Sequence, residues 1–390
     1  MGRDFRHSRS LHAMRVRSAI GALVATLGLA ALAGAAGWIA PGRSSAVTAA
    51  ASPAPWAQQL GGELSVRQQV GQLLIGGFDG FRAPSDLRSA LRSGRLSGVI
   101  LFRGNIRSRT QLRQLSRSLQ RAADRTALVS VDQEGGLVRR IPFAGPRRGQ
   151  RSQGSASRVG RLARSAGRTL RGLGVNVNFA PVADVPSGPG ADIYPRAFRG
   201  SPSTVGRKVA AATRGYGRAR VAATAKHFPG LGAAVRNTDN ARVVIRRSGA
   251  RLRNIDLTPF RSGIAASVPL VMVSHALYPA LDRSRVASQS RRIVTRLLRT
   301  RLGYEGAVVT DGLEARAVHR QTVATAAERS LLAGCDLLLL THRASARPVF
   351  RRLLARARAS RRVRSRVRES VARVLVLKRS LGLRLPRPAP

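Results

Sequence analysis

Eight short apolar runs, most of them preceded by a stretch of helical spacing, constrain this chain more than any other feature. They cover residues 72–78, 97–102, 127–132, 175–182, 221–227, 269–275, 306–311 and 335–342. A strand with one wet face alternates polar and apolar residues; a strand covered on both faces does not. These runs are almost continuously apolar, as buried parallel strands should be. The spacing predicts a helix opening at Ser65 and others over 110–123, 159–171, 205–216, 257–265, 293–301 and 323–332. Eight strand–helix units spread over roughly 300 residues predict a (β/α)8 TIM barrel rather than a doubly wound sheet. An arginine-rich helical stretch over 349–381 is expected to close the outer ring. No linker interrupts 60–380, so residues 56–385 read as one barrel domain.

The first 55 residues are set apart from that fold. Arg3, Arg6, Arg9, Arg15 and Arg17 precede an uncharged apolar run from Ala19 to Ala40, and Ala- and Ser-rich sequence follows to Pro55. A charged segment, an apolar segment and small residues in that order are the layout of an export signal. Left uncleaved, the apolar run is long enough to span a bilayer, with its arginines held inside. Cleaved signal and membrane anchor both stay open; no cysteine lies nearby to carry a lipid. An exported protein is expected, extracellular, wall-associated or tethered at the outer face of the membrane.

The formal net charge is +51. Such a charge raises the question of nucleic acid. The arginines, however, are spread along the whole chain, aromatic residues make up only 4 %, and Lys208, Lys226 and Lys378 are the only lysines. Nucleic-acid modules cluster their charge and interleave aromatic side chains for stacking. Nucleic acid is therefore not the expected partner, although an anionic cell-wall polymer or lipid surface would be attracted. Cys335 is the single cysteine and sits in an apolar run, which suits a core position. No residue cluster resembles a zinc or iron–sulfur site.

In a (β/α)8 barrel, chemistry collects at the C-terminal ends of the strands. Here polar groups gather there. Asp132-Gln133-Glu134-Gly135-Gly136 ends the third run, Asp184 follows the fourth, Lys226-His227-Phe228-Pro229-Gly230 ends the fifth, Ser274-His275 the sixth and Asp311 the seventh.

With Asn178-Phe179-Ala180-Pro181-Val182 and Val309-Thr310-Asp311-Gly312-Leu313, these motifs resemble glycoside hydrolase family 3 in order and spacing. The likeness is greatest to its single-domain bacterial β-N-acetylhexosaminidases and covers about residues 60–345. The resemblance implies a retaining glycosidase acting on terminal β-linked N-acetylhexosamine, with cell-wall glycans as the expected substrate. It implies Asp311 as nucleophile and places Asp132, Arg140, Arg196, Lys226 and His227 around the sugar. It calls for no cofactor or metal. Glu134 reads as scaffolding; His275 reads equally well as a site residue or a core histidine. The β-glucosidases and β-xylosidases of the family usually draw their acid from a second domain. None is evident in this sequence, which favours the acetylhexosaminidase branch. A monomer is the default expectation.

One departure stands out. The acetylglucosaminidase branch carries an Asp-Ser-His element in the loop after strand five, and its histidine is the acid/base. At that place this chain reads Asn237-Thr238-Asp239, and the loop contains no histidine. Three readings follow. Asp239 replaces the histidine, since a carboxyl of raised pKa can protonate a leaving group. Alternatively, only good leaving groups are cleaved. Or the barrel binds wall glycans without turnover.

Overall fold

Eight strands follow the eight apolar runs. The computed structural model describes residues 53–388, and the expected export segment lies almost entirely outside them. The strands are β1 Leu74–Gly76, β2 Gly98–Leu101, β3 Leu128–Val131, β4 Val177–Asn178, β5 Ala222–Phe228, β6 Leu270–Val273, β7 Ala307–Thr310 and β8 Leu338–Leu340. Each pairs in parallel with the next, and β8 returns to pair with β1. Between β7 and β8 the contact is a single parallel bridge, Val309 to Leu337. The result is a nearly closed eight-stranded barrel.

Alternation along each strand sorts the apolar side chains into two layers. Ile75, Ile100, Leu128, Met272, Val309 and Leu339 meet inside the barrel. Leu74, Val99, Val129, Val271, Val308 and Leu338 face the helices outside. Both faces are covered, which is why the sequence of these strands carries no alternation of polarity.

The helices fall where the apolar spacing puts them, with four differences. Ser85–Arg92 is a helix that the spacing did not mark. The first described helix begins at Pro55, inside the segment expected to precede the fold, and Gly61 on it packs against Val371. The stretch over 292–301 is a π-helix. The C-terminal stretch is two helices, Arg343–Ala359 and Arg361–Ser380, separated at Ser360. The second does more than complete the outer ring. Its Val374 and Leu377 join Leu381 in the inner cluster with Ala307 and Leu270 and floor the barrel.

Beneath that floor, Asp336 is fully buried and held by arginines. Its Oδ1 accepts from Arg366 Nη2 at 2.7 Å and Ser370 Oγ at 3.1 Å. Its Oδ2 accepts from Arg299 and from the Val308 N–H at 2.9 Å. Burial works against ionisation, but Arg299, Arg373 and Arg366 overcome it and hold the carboxyl down at about 2. Among the described residues, no helix is long and apolar enough to cross a membrane.

Candidate active site

A cavity of about 300 Å³ opens at the C-terminal ends of the strands. Asp132, Arg140, Arg196, Lys226, His227, Asp239 and Asp311 all line it. These are the seven residues that the motifs single out, and they come from six separate stretches of chain. Asp192, which the sequence did not flag, lines it as well.

The floor is an ionic lattice. Lys226 Nζ lies 2.6 Å from Asp132 Oδ1 and 2.7 Å from Glu134 Oε1. Arg196 grips the same Glu134 with two parallel bonds, Nε to Oε2 at 3.0 Å and Nη2 to Oε1 at 2.7 Å. Glu134 is buried, and burial alone would raise its pKa; Lys226 and Arg196 override that and bring it to about 2. The same contacts raise Lys226 and Arg196 above their ordinary values, against the opposing effect of their own burial. Both therefore stay cationic. Glu134 thus anchors two cations at the cavity wall, which is the scaffolding role its sequence position suggested.

Two consecutive residues, Lys226 and His227, both line the cavity, which a regular strand forbids. The register explains it: Lys226 pairs with Met272 and Phe228 with Val273, so His227 is the extra residue of a bulge. Asp184 fixes the bulge. Its Oδ2 lies 2.7 Å from His227 Nδ1, and its Oδ1 accepts from the Leu231 N–H at 2.6 Å. The sequence marked Asp184 as a polar residue at a strand end, but nothing in it pointed to His227 as the partner.

Asp311 ends β7 and has a sparser shell. Its Oδ1 accepts from the Gly312 N–H at 2.9 Å. Burial pushes its pKa up; His227, His275, the Gly312 N–H and Lys226 together push harder and leave it below the ordinary carboxylate value. His275 is fully buried, with Nδ1 2.7 Å from Ser288 Oγ and Nε2 3.0 Å from the Gly312 carbonyl. It is a core histidine that braces the residue after Asp311.

The loop after β5 is tied down along its length. The Ser187 and Asp192 N–H groups donate to the Gly232 and Ala234 carbonyls, both at 2.8 Å. The Arg316 and Ala317 N–H groups donate to the Asp239 and Thr238 carbonyls at 3.0 and 3.1 Å. Gly232 is required: a Cβ there would stand 1.9 Å from the Val185 carbonyl oxygen. Asp239 is thereby held at the cavity mouth. The residue as a whole is exposed, but partial desolvation of its carboxyl at the mouth, and then the charge of Asp311, raise its pKa to about 6, while His227 and Arg196 pull the other way.

Arg140 is half-buried, and its Nε has no hydrogen-bond partner. Among the described residues no group of histidine, cysteine and carboxylate side chains is placed to hold a metal ion.

The profile of the "Glycosyl hydrolase family 3 N terminal domain" matches residues 65–377. The chain belongs to glycoside hydrolase family 3. It is a glycosidase similar to the family's β-N-acetylhexosaminidases. It is 34 % identical over 281 residues to a β-hexosaminidase of Stenotrophomonas maltophilia, covering 69 % of this chain and 83 % of that protein. An "Uncharacterized secreted glycosyl hydrolase" of Arthroderma benhamiae is 34 % identical over 291 residues, covering 70 % of this chain and 82 % of that one. Among solved structures, a family 3 β-N-acetylglucosaminidase of Paenibacillus sp. superposes with a TM-score of 0.78 at 34 % identity, covering 84 % of this chain. This chain spans 64 % of that protein. A β-N-acetylhexosaminidase of Beutenbergia cavernae gives 0.75 at 31 % identity and covers 81 % of this chain, which spans 98 % of it.

Proposed function

We propose that this family 3 chain is an exported, retaining β-N-acetylhexosaminidase. On this reading it releases terminal N-acetylglucosamine-type sugars from cell-wall glycans or their fragments, with residues 56–385 as the catalytic barrel. One observation carries the assignment of the reaction. Asp311 and Asp239 face one cavity with opposite proton affinities, the first below its ordinary value and the second raised to about 6. Paired carboxylates whose environments drive them apart are what acid and nucleophile need.

In the first step the Asp311 carboxylate attacks the anomeric carbon. The glycosidic C–O bond breaks, and the leaving oxygen takes the proton of Asp239. In the second step Asp239, now a carboxylate, removes a proton from water. The water oxygen displaces Asp311, and the sugar leaves with its original anomeric configuration. The two carboxylates and water account for every proton and electron pair. Asp132 can accept from a pair of sugar hydroxyls. Arg140, Arg196, Lys226 and His227 can hold hydroxyl and acetamido oxygens.

Export rests on the charged and apolar segments at the N-terminus, and the name of the Arthroderma relative agrees with it. The absence of a histidine from the loop after β5 supports a second reading, a wall-glycan-binding barrel of reduced turnover.

The test is nitrophenol release by the full chain from the N-acetyl-β-glucosaminide, set beside the β-glucoside and β-xyloside, in the parent and in Asp311→Asn. Turnover of the acetamido sugar by the parent alone is the expected result. Turnover of the glucoside or xyloside instead would change the sugar assignment. Binding of the sugar without any turnover would favour the second reading.

A further inference from the structure

Four large apolar side chains stand exposed among the described residues: Phe81, Leu137, Val235 and Val376. Val376 lies on the helix Arg361–Ser380, at the floor end of the barrel. The other three share the opposite end. Phe81 lies in the loop after β1, Val235 in the loop after β5, and Leu137 at the tip of a hairpin after β3, formed by Gln133–Gly135 and Val138–Arg139. They rim the catalytic cavity. Val138, beside Leu137, lines it, and so does Asn237, two residues beyond Val235. Phe102 lines it too, and Asn105 of the same turn donates from Nδ2 to the Gly80 carbonyl at 3.0 Å, next to Phe81. Hydrogen bonds hold these tips out. The Phe81 carbonyl accepts from Gln111 Nε2 at 2.7 Å. The Gly136 N–H donates to the Arg147 carbonyl at 3.1 Å, and the Ala234 N–H to the Leu231 carbonyl at 2.9 Å. Leu137 and Val235 are 75 % and 76 % exposed. One exposed apolar side chain is ordinary; three fixed around one opening mark a surface that something covers.

Charge says what covers it. Arg82 follows Phe81, Arg236 follows Val235, and Arg139 lies two residues beyond Leu137. Arg147 and Arg148 run behind the hairpin, against Gly136 and Gly135. None of these five side chains has an ion pair or hydrogen bond to another described residue. Among the described residues of the three loops, Asp79 is the one exposed carboxylate outside the cavity. Apolar tips with cations beside them fit a bilayer of anionic lipid: the tips enter the acyl boundary while the guanidinium groups stay among the headgroups. Other covers fit less well. Two of the three tips are aliphatic and offer no ring face to a glycan surface or a stacked base. A second copy would set one cationic face against another. We infer that the cavity end of the barrel docks on an anionic lipid surface through Phe81, Leu137, Val235 and the arginines beside them. The docking stands independently of the reaction. On the proposed glycosidase reading, it turns the cavity toward glycans carried at a membrane surface.

Cys335 is buried and is the single cysteine. Leu137→Cys therefore gives the full chain one reactive thiol for an environment-sensitive fluorophore, and Val376→Cys gives the same at the floor end. Each labelled protein is titrated with vesicles of phosphatidylglycerol and phosphatidylcholine, and with vesicles of phosphatidylcholine alone. The label at 137 should brighten and shift to the blue with the anionic vesicles, and the response should weaken as salt rises. The label at 376 should keep its aqueous emission, whatever else in the chain holds it to the vesicle. Adding Phe81→Ser and Val235→Ser to Leu137→Cys should weaken the response to anionic vesicles by about tenfold or more, with the melting temperature unchanged. Aqueous emission at 137 with both kinds of vesicle would overturn the inference. So would an equal response at 376, or an equal response to neutral vesicles. A response to particles of insoluble chitin and not to vesicles would overturn it in favour of a glycan surface. No turnover enters the readout, so failure of the docking and failure of the glycosidase reading are told apart.

Discussion

The two ends of the barrel use buried charge in opposite ways. At the N-terminal end both oxygens of Asp336 are taken by Arg366, Ser370, Arg299 and the Val308 amide. At the C-terminal end Glu134 is equally engaged, but its neighbours are not. Asp311 accepts one backbone hydrogen bond, Asp239 sits at the mouth with a raised proton affinity, and Arg140 Nε has no partner. A carboxylate whose lone pairs are all taken holds the structure together. One with lone pairs to spare can act on a substrate. Within a chain of this charge, the degree of satisfaction therefore separates scaffold from site better than the presence of a charge does.

Swapping the perturbation between the two ends should separate activity from stability. Asp311→Asn should cost at least about a thousandfold in kcat, since the nucleophile is lost, with the melting temperature unchanged. Asp336→Ala should cost about 3–5 kcal/mol of stability, because it strands buried arginines. Its surviving folded fraction should turn over normally. Urea melts beside active-site titration would check both. Comparable losses of fold in the two variants would erase the distinction.

Asp239→Asn comes next. It should slow poor leaving groups by about 10²–10⁴ and activated aryl leaving groups far less. The pH dependence has a definite sign. Asp239 is the acid only while protonated, so cleavage of poor leaving groups should fall as pH rises through about 6. The opposite limb, set by protonation of Asp311, should lie below the ordinary carboxylate range, because that pKa is lowered. The variant should lose the alkaline limb alone. Equal losses on both substrate classes would exclude Asp239 as the acid.

Arg140→Gln should lower kcat/KM about tenfold, roughly the value of one charge-assisted hydrogen bond to substrate. It should leave stability unchanged, since no described residue depends on that guanidinium. Arg196→Gln, which would strip Glu134 of a partner, should reduce both.

A further effect, on stability alone, belongs to the floor. Lys378 is fully buried on Gln72, with Nζ 2.6 Å from Oε1, and burial lowers its pKa from 10.5 to about 7. The unfolded chain holds this proton up to higher pH, so the group penalises folding below about pH 7. The penalty is relieved as pH rises toward 10.5. Lys378→Met should flatten that part of the stability profile measured by denaturant titration.

Much of this was legible in the sequence because buried parallel strands cannot hide their apolar runs. The eight strands lie on the eight apolar runs, and the seven residues that the motifs single out all line one cavity, together with others such as Asp192 that the sequence did not flag. What escaped was decided by neighbours distant in sequence. The bulge that turns both Lys226 and His227 into the cavity depends on pairing with Met272 and Val273. The hold of Asp184 on His227 spans 43 residues. The backbone bonds from Arg316 and Ala317 that set the Asp239 loop involve no distinctive side chain.

The most direct test of the account is a search for the glycosyl-enzyme. Asp239→Asn, given an aryl N-acetyl-β-glucosaminide with a good leaving group, should form the intermediate and then hydrolyse it slowly. Rapid quenching, digestion and mass spectrometry should find one N-acetylhexosamine on the peptide containing Asp311, and proton NMR of the parent reaction should show the β-anomer released first. An α-anomer as first product, with no sugar on that peptide, would contradict the nucleophilic role of Asp311.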